Sequence, residues 1–299
     1  MTAATAGKKA EFNSVLSLLR VHQWAKNLLI FVPLILARRH DLETWSEALL
    51  AFAAFSLVAS STYVLNDLVD ADADRNHPVK KARPLASGDI DSGKGIAAIV
   101  ALLVVGMAVA AFVNLTYMGL LALYYVGTTA YTFRLKRMLV IDVVAIGCFY
   151  TLRIIAGGVS TGIVISEWLL AFSVFFFLSL ALMKRYSELV LHLGAGRKKV
   201  DNRSYEVDDL TVLSAVAVAA AFNSITVYAI FIGSDEVKQA YSNAKMLWLI
   251  TPILIYWLAR MMLLAHRNKI TVDPVLFALR DLNSWICGAA VAVLLVLAA

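Results

Sequence analysis

The chain has 299 residues, of which 61% are hydrophobic and only 16% are charged, and its mean hydropathy is +0.75. A soluble domain is about 45–50% apolar and about 25% charged, and at this length it could not bury so much apolar surface. The same composition excludes a disordered chain. The class that remains is an all-α, polytopic membrane protein.

Nine apolar runs follow one another along the chain. They cover approximately residues 27–38, 47–66, 95–113, 115–133, 139–159, 168–183, 210–232, 246–265 and 285–299. A spanning helix needs about 20 residues, so the first run must extend back through Trp24. We therefore expect about nine transmembrane helices in a single domain over residues 1–299, with two long polar connections at about 67–94 and 184–209.

Most of the 27 lysines and arginines fall on one side of the membrane if the N-terminus is cytoplasmic. The exceptions on the opposite side are Arg38, Arg39, Lys238 and Lys245. Because cytoplasmic loops carry an excess of Lys and Arg, we expect an inner-membrane protein with its N-terminus and both long connections in the cytoplasm. This topology explains the net charge of +6 without a nucleic-acid partner. Residues 1–13 lack the apolar core of a signal peptide, so the first helix is expected to direct insertion.

Three aspartates end the second apolar run on one helix face. At about 100° per residue, Asp67, Asp70 and Asp74 lie within about 60° of one another. Tyr63 falls on the same side, and Asp72 points nearly opposite. Like charges this close repel each other, and a hard divalent cation with oxygen ligands relieves the repulsion. The pattern predicts Mg²⁺ at the three aspartates, and the alternative is a solvated acidic helix end.

A basic segment with Lys80, Lys81 and Arg83 follows the aspartates. It suits a metal-bound diphosphate, because Lys and Arg bind the oxygens that the metal leaves free. The alternative for Lys80 and Lys81 is contact with lipid headgroups or a topology signal. Pro84 and the turn at 87–88 predict a shaped loop.

The pattern NDxxDxxxD at residues 66–74, followed by RPLxSG at 83–88, resembles the first signature of the UbiA superfamily of intramembrane prenyltransferases. The resemblance covers nearly the whole chain in length, helix number and motif position. It implies nine helices around a central cavity that opens to the cytoplasm and laterally to lipid. It also implies Mg²⁺ at the aspartates, with Asn66 in support.

Aromatic prenyltransferases of this superfamily carry a second acidic motif after the sixth helix, where residues 182–189 of this chain read LMKRYSEL. Glu188 is the acid that remains, and Lys184 and Arg185 lie within about 100° of it on a helix. Two cations in place of a carboxylate suit a second phosphorylated substrate. The alternative is a pair of positive-inside residues at a helix end.

The pattern KRYxEL resembles the decaprenyl-phosphate phosphoribosyltransferase branch of the superfamily. Three further segments are similar to that branch: QWAKN at 23–27, YTLRIIAGG at 150–158 and ALRD at 278–281. In that branch the residues RP usually precede the first of these segments, whereas this chain has Arg20 followed by Val21. Residues 202–210 are closer to bacterial relatives whose UbiA-like part is often fused to a hydrolase-like domain.

Arg153 lies within an apolar run, about 14 residues or about 21 Å of helix beyond its start. An arginine at such depth is unfavourable unless it faces a cavity or a partner, which makes it a candidate functional group. The alternative is a side chain that reaches the far interface.

Together with these features, the resemblance to the phosphoribosyltransferase branch implies a Mg²⁺-dependent membrane enzyme that transfers the 5-phosphoribosyl group of phosphoribosyl diphosphate (PRPP) to a polyprenyl phosphate and releases diphosphate. The predicted catalytic residues are Asp67, Asp70, Asp74 and Lys184, the three aspartates as metal ligands. The predicted substrate-binding residues are Lys26, Tyr63, Asn66, Lys80, Lys81, Arg83, Arg153, Arg185 and Glu188. Two alternatives remain open: an aromatic prenyltransferase that uses a prenyl diphosphate, and a non-catalytic transporter or cation-binding membrane protein.

Overall fold

The computed structural model describes residues 14–76, 80–194, 204–270 and 273–299. Within these ranges the chain forms α-helices and 3₁₀ helices and has no β-strand, which confirms the predicted all-α class. The α-helices are α1 (Val32–Leu36), α2 (Leu42–Val69), α3 (Ala71–Arg75), α4 (Pro84–Ser87), α5 (Ser92–Val113), α6 (Leu115–Phe133), α7 (Ile141–Thr161), α8 (Glu167–Gly194), α9 (Leu210–Ile232), α10 (Asp235–Ala240), α11 (Ile250–His266), α12 (Pro274–Ala278) and α13 (Leu282–Ala298). The 3₁₀ helices cover Val21–Phe31, Lys80–Ala82, Leu135–Arg137, Val207–Asp209 and Ala244–Leu249.

Each predicted apolar run is occupied by a helix. Among the residues that the structure describes, six helical segments are long and apolar enough to cross a membrane: Leu42–Val69, Ser92–Val113, Ile141–Thr161, Glu167–Gly194, Val207–Ile232 and Ala244–His266. The segments Val21–Leu36 and Leu282–Ala298 are shorter apolar helices, and α6 has 19 residues. The chain is therefore a polytopic membrane protein, and a total of nine spans stays a prediction.

Polar side chains fix where the apolar helices begin. Asp41 accepts a hydrogen bond from the Thr44 backbone N–H at 2.9 Å at the start of α2. At the start of α6, Asn114 accepts one from the Tyr117 backbone N–H at 2.7 Å. Such caps satisfy amide groups that the first helical turn leaves without a partner.

The sequence predicts the sixth long helix to end near residue 183, and this prediction is wrong, because α8 continues to Gly194. Arg185 and Glu188 form an ion pair three residues apart, a spacing that supports a continuing helix. The Lys184–Glu188 motif therefore lies on a helix and not in the connection that follows it.

The chain divides into two compact units. Unit 1 runs to Arg134 and resumes over Leu152–Val164, so it holds α1 to α6 and the C-terminal part of α7. Unit 2 consists of Leu135–Thr151 and Ile165–Ala299, with the N-terminal part of α7 and α8 to α13. The prediction of one domain over residues 1–299 stays a prediction.

Candidate functional site

The acidic cluster of unit 1 lies at the C-terminal end of α2. Asp67 is in the last turn of α2, Asp70 joins α2 to α3, and Asp74 lies in α3. Asp67 and Asp74 are buried and Asp70 is half-buried, whereas the side chain of Asp72 is 92% exposed. The burial therefore separates Asp72 from the other three, in agreement with their helical spacing.

The guanidinium of Arg83 brings two of these carboxylates together. Its Nη1 lies 3.0 Å from Asp67 Oδ1 and 2.5 Å from Asp74 Oδ2. Two residues further along the chain, Leu85 packs in a buried cluster with Val64 of α2. This packing holds the loop that carries Arg83 against the acidic end of α2.

A second arginine, Arg20, also contacts Asp67, although the sequence did not indicate it as a site residue. Its Nε donates a hydrogen bond to Asp67 Oδ2 at 3.1 Å, and its Nη2 is paired with Oδ1. Its guanidinium carbon lies 5.5 Å from the centroid of the Tyr63 ring. One sequence signal could have identified Arg20. It lies shortly before the QWAKN motif, where the branch that this chain resembles has an arginine followed by proline.

The donor set at the end of α2 fits a hard divalent cation. Among the residues that the structure describes, no three His, Cys, Asp or Glu side chains lie close enough to hold a metal ion. Asp67 and Asp74 nevertheless converge on a single cationic nitrogen. Because Mg²⁺ is commonly bound by one or two carboxylates together with substrate phosphates, these two aspartates fit it as direct ligands. The part of Asp70 in a three-carboxylate set stays a prediction.

The other predicted residues near this end of α2 have distinct surroundings. Asn66 Oδ1 accepts a hydrogen bond from Thr132 Oγ1 at 3.4 Å, which links α2 to α6. Lys80 and Lys81 are exposed in a 3₁₀ turn. Residues 77–79, which precede this turn, lie outside the described ranges. Exposure leaves both lysines able to reach an anionic ligand.

Arg153 lies in α7, is 3% exposed, and contacts polar and aromatic partners inside unit 1. Its Nε donates to Asn27 Oδ1 at 2.9 Å, and its Nη2 donates to the Tyr124 hydroxyl at 3.0 Å. Its guanidinium carbon lies 4.9 Å from the ring centroid of Phe55 and 5.1 Å from that of Tyr124. Such cation–π contacts stabilise a charge away from water. The enclosure favours a positioning role for Arg153 over the predicted contact with phosphate.

Lys184 of unit 2 is the more accessible of the two cations in the KRYxEL motif. Its side chain is 32% exposed, and its Nζ lies 3.3 Å from Asp273 Oδ2. Asp273 also accepts a hydrogen bond from the Tyr150 hydroxyl at 3.0 Å and caps the start of α12. An ammonium group that is partly exposed beside a carboxylate remains suited to binding an anion.

Arg185, the neighbouring cation, has a side chain with no exposed surface. Its Nη2 lies 2.8 Å from Asp142 Oδ2, and its Nη1 is paired with Glu188. The ring of Tyr205 lies 5.7 Å from its guanidinium carbon. Because two carboxylates and a ring enclose Arg185, the structure favours an anchoring role for it and for Glu188 over the predicted contact with substrate.

Tyr205 and Asp142 belong to this anchor and were not among the predicted site residues. The Tyr205 hydroxyl donates to Asp142 Oδ1 at 2.6 Å and accepts from the Val140 backbone N–H at 3.0 Å. Burial raises the pKa of Tyr205, so its phenol stays protonated as a donor at neutral pH. Val140 has a φ of 65°, a strained conformation for a β-branched residue. No local pattern in the sequence pairs residues this far apart.

Long apolar helices with a buried acidic cluster and charged anchors at their ends define a polytopic membrane protein with polar sites built on its helices. Residues 27–285 match the UbiA prenyltransferase family. The chain belongs to this family, which confirms the resemblance seen in its motifs.

Three relatives illustrate the range of similar sequences. The uncharacterized protein y4nM of Sinorhizobium fredii is 39% identical over 285 residues, which are 95% of this chain and 55% of y4nM, so the chain spans about half the length of that relative. The nodulation protein NoeC of Azorhizobium caulinodans is 30% identical, with 93% of this chain and 91% of NoeC covered. A decaprenyl-phosphate phosphoribosyltransferase of Mycobacterium tuberculosis H37Rv is 34% identical, with 70% and 72% covered.

Solved structures share the fold. A UbiA homologue from Archaeoglobus fulgidus bound to GPP and Mg²⁺ superposes with a TM-score of 0.69 at 18% identity, and the match covers 94% of this chain and 99% of that one. A digeranylgeranylglyceryl phosphate synthase superposes with a TM-score of 0.68 at 19% identity, with 97% and 98% covered. At these identities the likeness establishes the helical architecture.

Proposed function

We propose that the protein transfers the 5-phosphoribosyl group of PRPP to a polyprenyl phosphate at the cytoplasmic face of the inner membrane and releases diphosphate. The observation that carries the proposal is the half-buried ammonium group of Lys184 on α8. Aromatic prenyltransferases of the superfamily have an acidic motif at this position. A cation that replaces the carboxylate suits the binding of a second phosphate. The 34% identity to a decaprenyl-phosphate phosphoribosyltransferase supports this choice of substrates.

The acidic end of α2 is assigned to the diphosphate. Asp67 and Asp74, together with Asp70, would hold Mg²⁺ at their carboxylate oxygens. A bound Mg²⁺ would neutralise the charge that develops on the departing diphosphate. Arg83 would bind the diphosphate oxygens that the metal leaves free. The exposed Lys80 and Lys81 would support Arg83 or bind the 5-phosphate.

The lipid phosphate is assigned to Lys184 of unit 2, and Lys26 of unit 1 is assigned to one of the remaining phosphates. A phosphate monoester has a second pKa of about 6, so the polyprenyl phosphate is an anion at neutral pH and needs no side chain as general base. One of its oxygens would form a bond to the anomeric carbon of the ribose. The bond from that carbon to the diphosphate would break, and its electron pair would leave with the diphosphate. Attack from the face opposite the leaving group predicts inversion, and the residues act through positioning and charge.

The test is a transfer assay with the purified chain in detergent and Mg²⁺. One mixture contains labelled PRPP and polyprenyl phosphate, and a second contains an aromatic acid and labelled prenyl diphosphate. Label in lipid from the first mixture alone supports the proposal. Product from the second mixture alone supports the aromatic prenyltransferase in its place. Folded protein that yields product in neither mixture overturns both reactions and favours the transporter.

A further inference from the structure

The segment Val21–Phe31 is an unusually long 3₁₀ helix. It has 11 residues, whereas most runs of this kind stop after three or four. In a 3₁₀ helix, residues three apart lie on the same face, so Trp24, Asn27 and Ile30 form one stripe. Lys26 lies on another face, about 120° from that stripe.

Two serines of α2 hold the stripe. Trp24 Nε1 donates to Ser60 Oγ at 2.9 Å, and Asn27 Nδ2 donates to Ser56 Oγ at 3.0 Å. Ser60 Oγ in turn donates to the Leu19 carbonyl at 2.8 Å. Ser56 and Ser60 are fully buried and one helical turn apart, so they match two donors on one face. In an α-helix the two donors would be about 60° apart, so this match favours the 3₁₀ winding.

The C-terminal part of α7 holds the same segment from a second direction. Arg153 Nε donates to Asn27 Oδ1 at 2.9 Å, so Asn27 is bonded at both ends of its amide. A Cβ atom on Gly157 would lie 2.0 Å from the Ile30 carbonyl oxygen, a distance that no side chain can occupy. The backbone around Lys26 is therefore fixed by bonds to both of its neighbours on the stripe.

We infer that Ser56, Ser60 and Arg153 are positioning residues that set the direction in which Lys26 presents its ammonium group to a substrate phosphate. These three residues hydrogen-bond to Trp24 and Asn27. Trp24 lies two residues before Lys26, and Asn27 follows Lys26 directly. Any loosening of the stripe rotates Lys26 about the segment axis. The identity of the phosphate rests on the proposed function. The docking, by which we mean the attachment of the 3₁₀ segment to α2 and α7, rests on the structure.

A double-mutant cycle tests the inference in the transfer assay with PRPP and polyprenyl phosphate. Ser60→Ala is expected to raise the KM for one phosphorylated substrate about tenfold while kcat stays within about twofold. In a Lys26→Ala background the same change is expected to add nothing, because Ser60 acts through Lys26. Multiplicative effects of the two substitutions on KM, or an unchanged KM in Ser60→Ala, would overturn the inference.

Ser61→Ala is the matched control. Ser61 is also fully buried on α2, but its hydroxyl donates to the Ile99 carbonyl at 2.9 Å and not to the 3₁₀ segment. Loss of this buried hydroxyl is expected to leave the KM values unchanged in both backgrounds. A rise in KM equal to that of Ser60→Ala would show a general effect of helix destabilisation and would overturn the inference.

Hydrogen exchange separates this inference from the proposed function. Ser60→Ala and Arg153→Lys are expected to speed amide exchange within residues 21–31 at least fivefold, and Ser61→Ala is not. Failure of the wild-type chain to turn over PRPP would overturn the proposed function, whereas exchange would still report on the docking. Unchanged exchange in Ser60→Ala would overturn the docking itself, whatever the substrate.

Discussion

The hydroxyl of Tyr205 donates a hydrogen bond to Asp142 Oδ1 at 2.6 Å, and the other oxygen of that carboxylate lies 2.8 Å from Arg185 Nη2. One buried carboxylate therefore joins the segment before α9 to both α7 and α8. The Tyr205 hydroxyl hydrogen-bonds one oxygen of Asp142, and the Arg185 guanidinium balances the charge at the other. Removal of either partner therefore leaves a buried carboxylate without a group that compensates it. The anchor is expected to contribute to stability and not to chemistry.

Tyr205→Phe tests the anchor. Loss of the hydroxyl leaves the buried Asp142 carboxylate with one donor fewer, which is expected to reduce the free energy of unfolding by about 1–3 kcal/mol. The measurement is thermal unfolding in detergent. Tyr256→Phe, at a tyrosine that is 52% exposed, serves as control and is expected to leave the melting temperature within 1–2 °C, or about 0.5 kcal/mol. Equal melting temperatures for the two variants would contradict the role of Tyr205.

Asp70→Asn tests the metal assignment. Removal of a ligand charge is expected to lower kcat/KM for phosphoribosyl transfer at least about 100-fold while the protein stays folded. Asp72→Asn is the matched control, because the Asp72 side chain is 92% exposed and is paired with Arg75 at the surface. It is expected to keep activity within about twofold. Near-normal activity of Asp70→Asn would remove Asp70 from the metal site.

Gly157→Ala tests the close approach between α7 and the 3₁₀ segment. The added Cβ would meet the Ile30 carbonyl at 2.0 Å, and a backbone atom cannot move aside cheaply. We expect a loss of about 3 kcal/mol in unfolding free energy, measured as a fall in melting temperature. Gly119→Ala in α6 meets nothing within 4 Å and is expected to be neutral or slightly stabilising. A Gly157→Ala variant as stable as the wild type would contradict the close approach.

The pair of Asp281 and Arg260 predicts a dependence on pH. Arg260 Nη1 lies 2.7 Å from Asp281 Oδ2 and Nη2 lies 2.9 Å from Oδ1, and this hydrogen bonding lowers the pKa of Asp281. A carboxylate with a lowered folded pKa adds stability above its unfolded value of about 3.9 and loses it as the pH falls through the folded pKa.

Asp281→Asn isolates that charge, because Asn also caps a helix well. The wild type is expected to exceed this variant in melting temperature at pH 7, and the difference is expected to shrink below about pH 4. Thermal unfolding at a series of pH values in one detergent measures it. A difference that stays constant from pH 7 to pH 3 would argue against a charged pair.

Local patterns predicted much of the fold. Each apolar run located a helix, because the length and hydropathy of a run are properties of neighbouring residues. The short helices α3, α4, α10 and α12 lie outside the runs and were not predicted. Helical spacing also separated Asp72 from the buried Asp67 and Asp74, because the direction of each side chain around a helix follows from its position in the sequence. The end of α8 was predicted too early, since charged residues that pair within a helix resemble a polar connection.

Long-range partners account for most of what the sequence did not indicate. The enclosure of Arg185 depends on Asp142 and Tyr205, which lie on other elements of unit 2. Similarly, the contact of Arg20 with Asp67 joins the two ends of a 47-residue separation. Cations that look alike in sequence thus differ in their surroundings: Arg153 and Arg185 are enclosed, whereas the Lys184 side chain is partly exposed.

The three-residue repeat of Trp24, Asn27 and Ile30 constrains the chain in a way that the apolar spans do not. Insertion or deletion of one residue between Arg20 and Trp24 keeps that stripe intact, whereas the same change between Trp24 and Asn27 breaks the repeat and turns everything before it by about a third of a circle. Natural variants that differ in length should therefore keep the spacing from Trp24 to Ile30 and collect their gaps elsewhere.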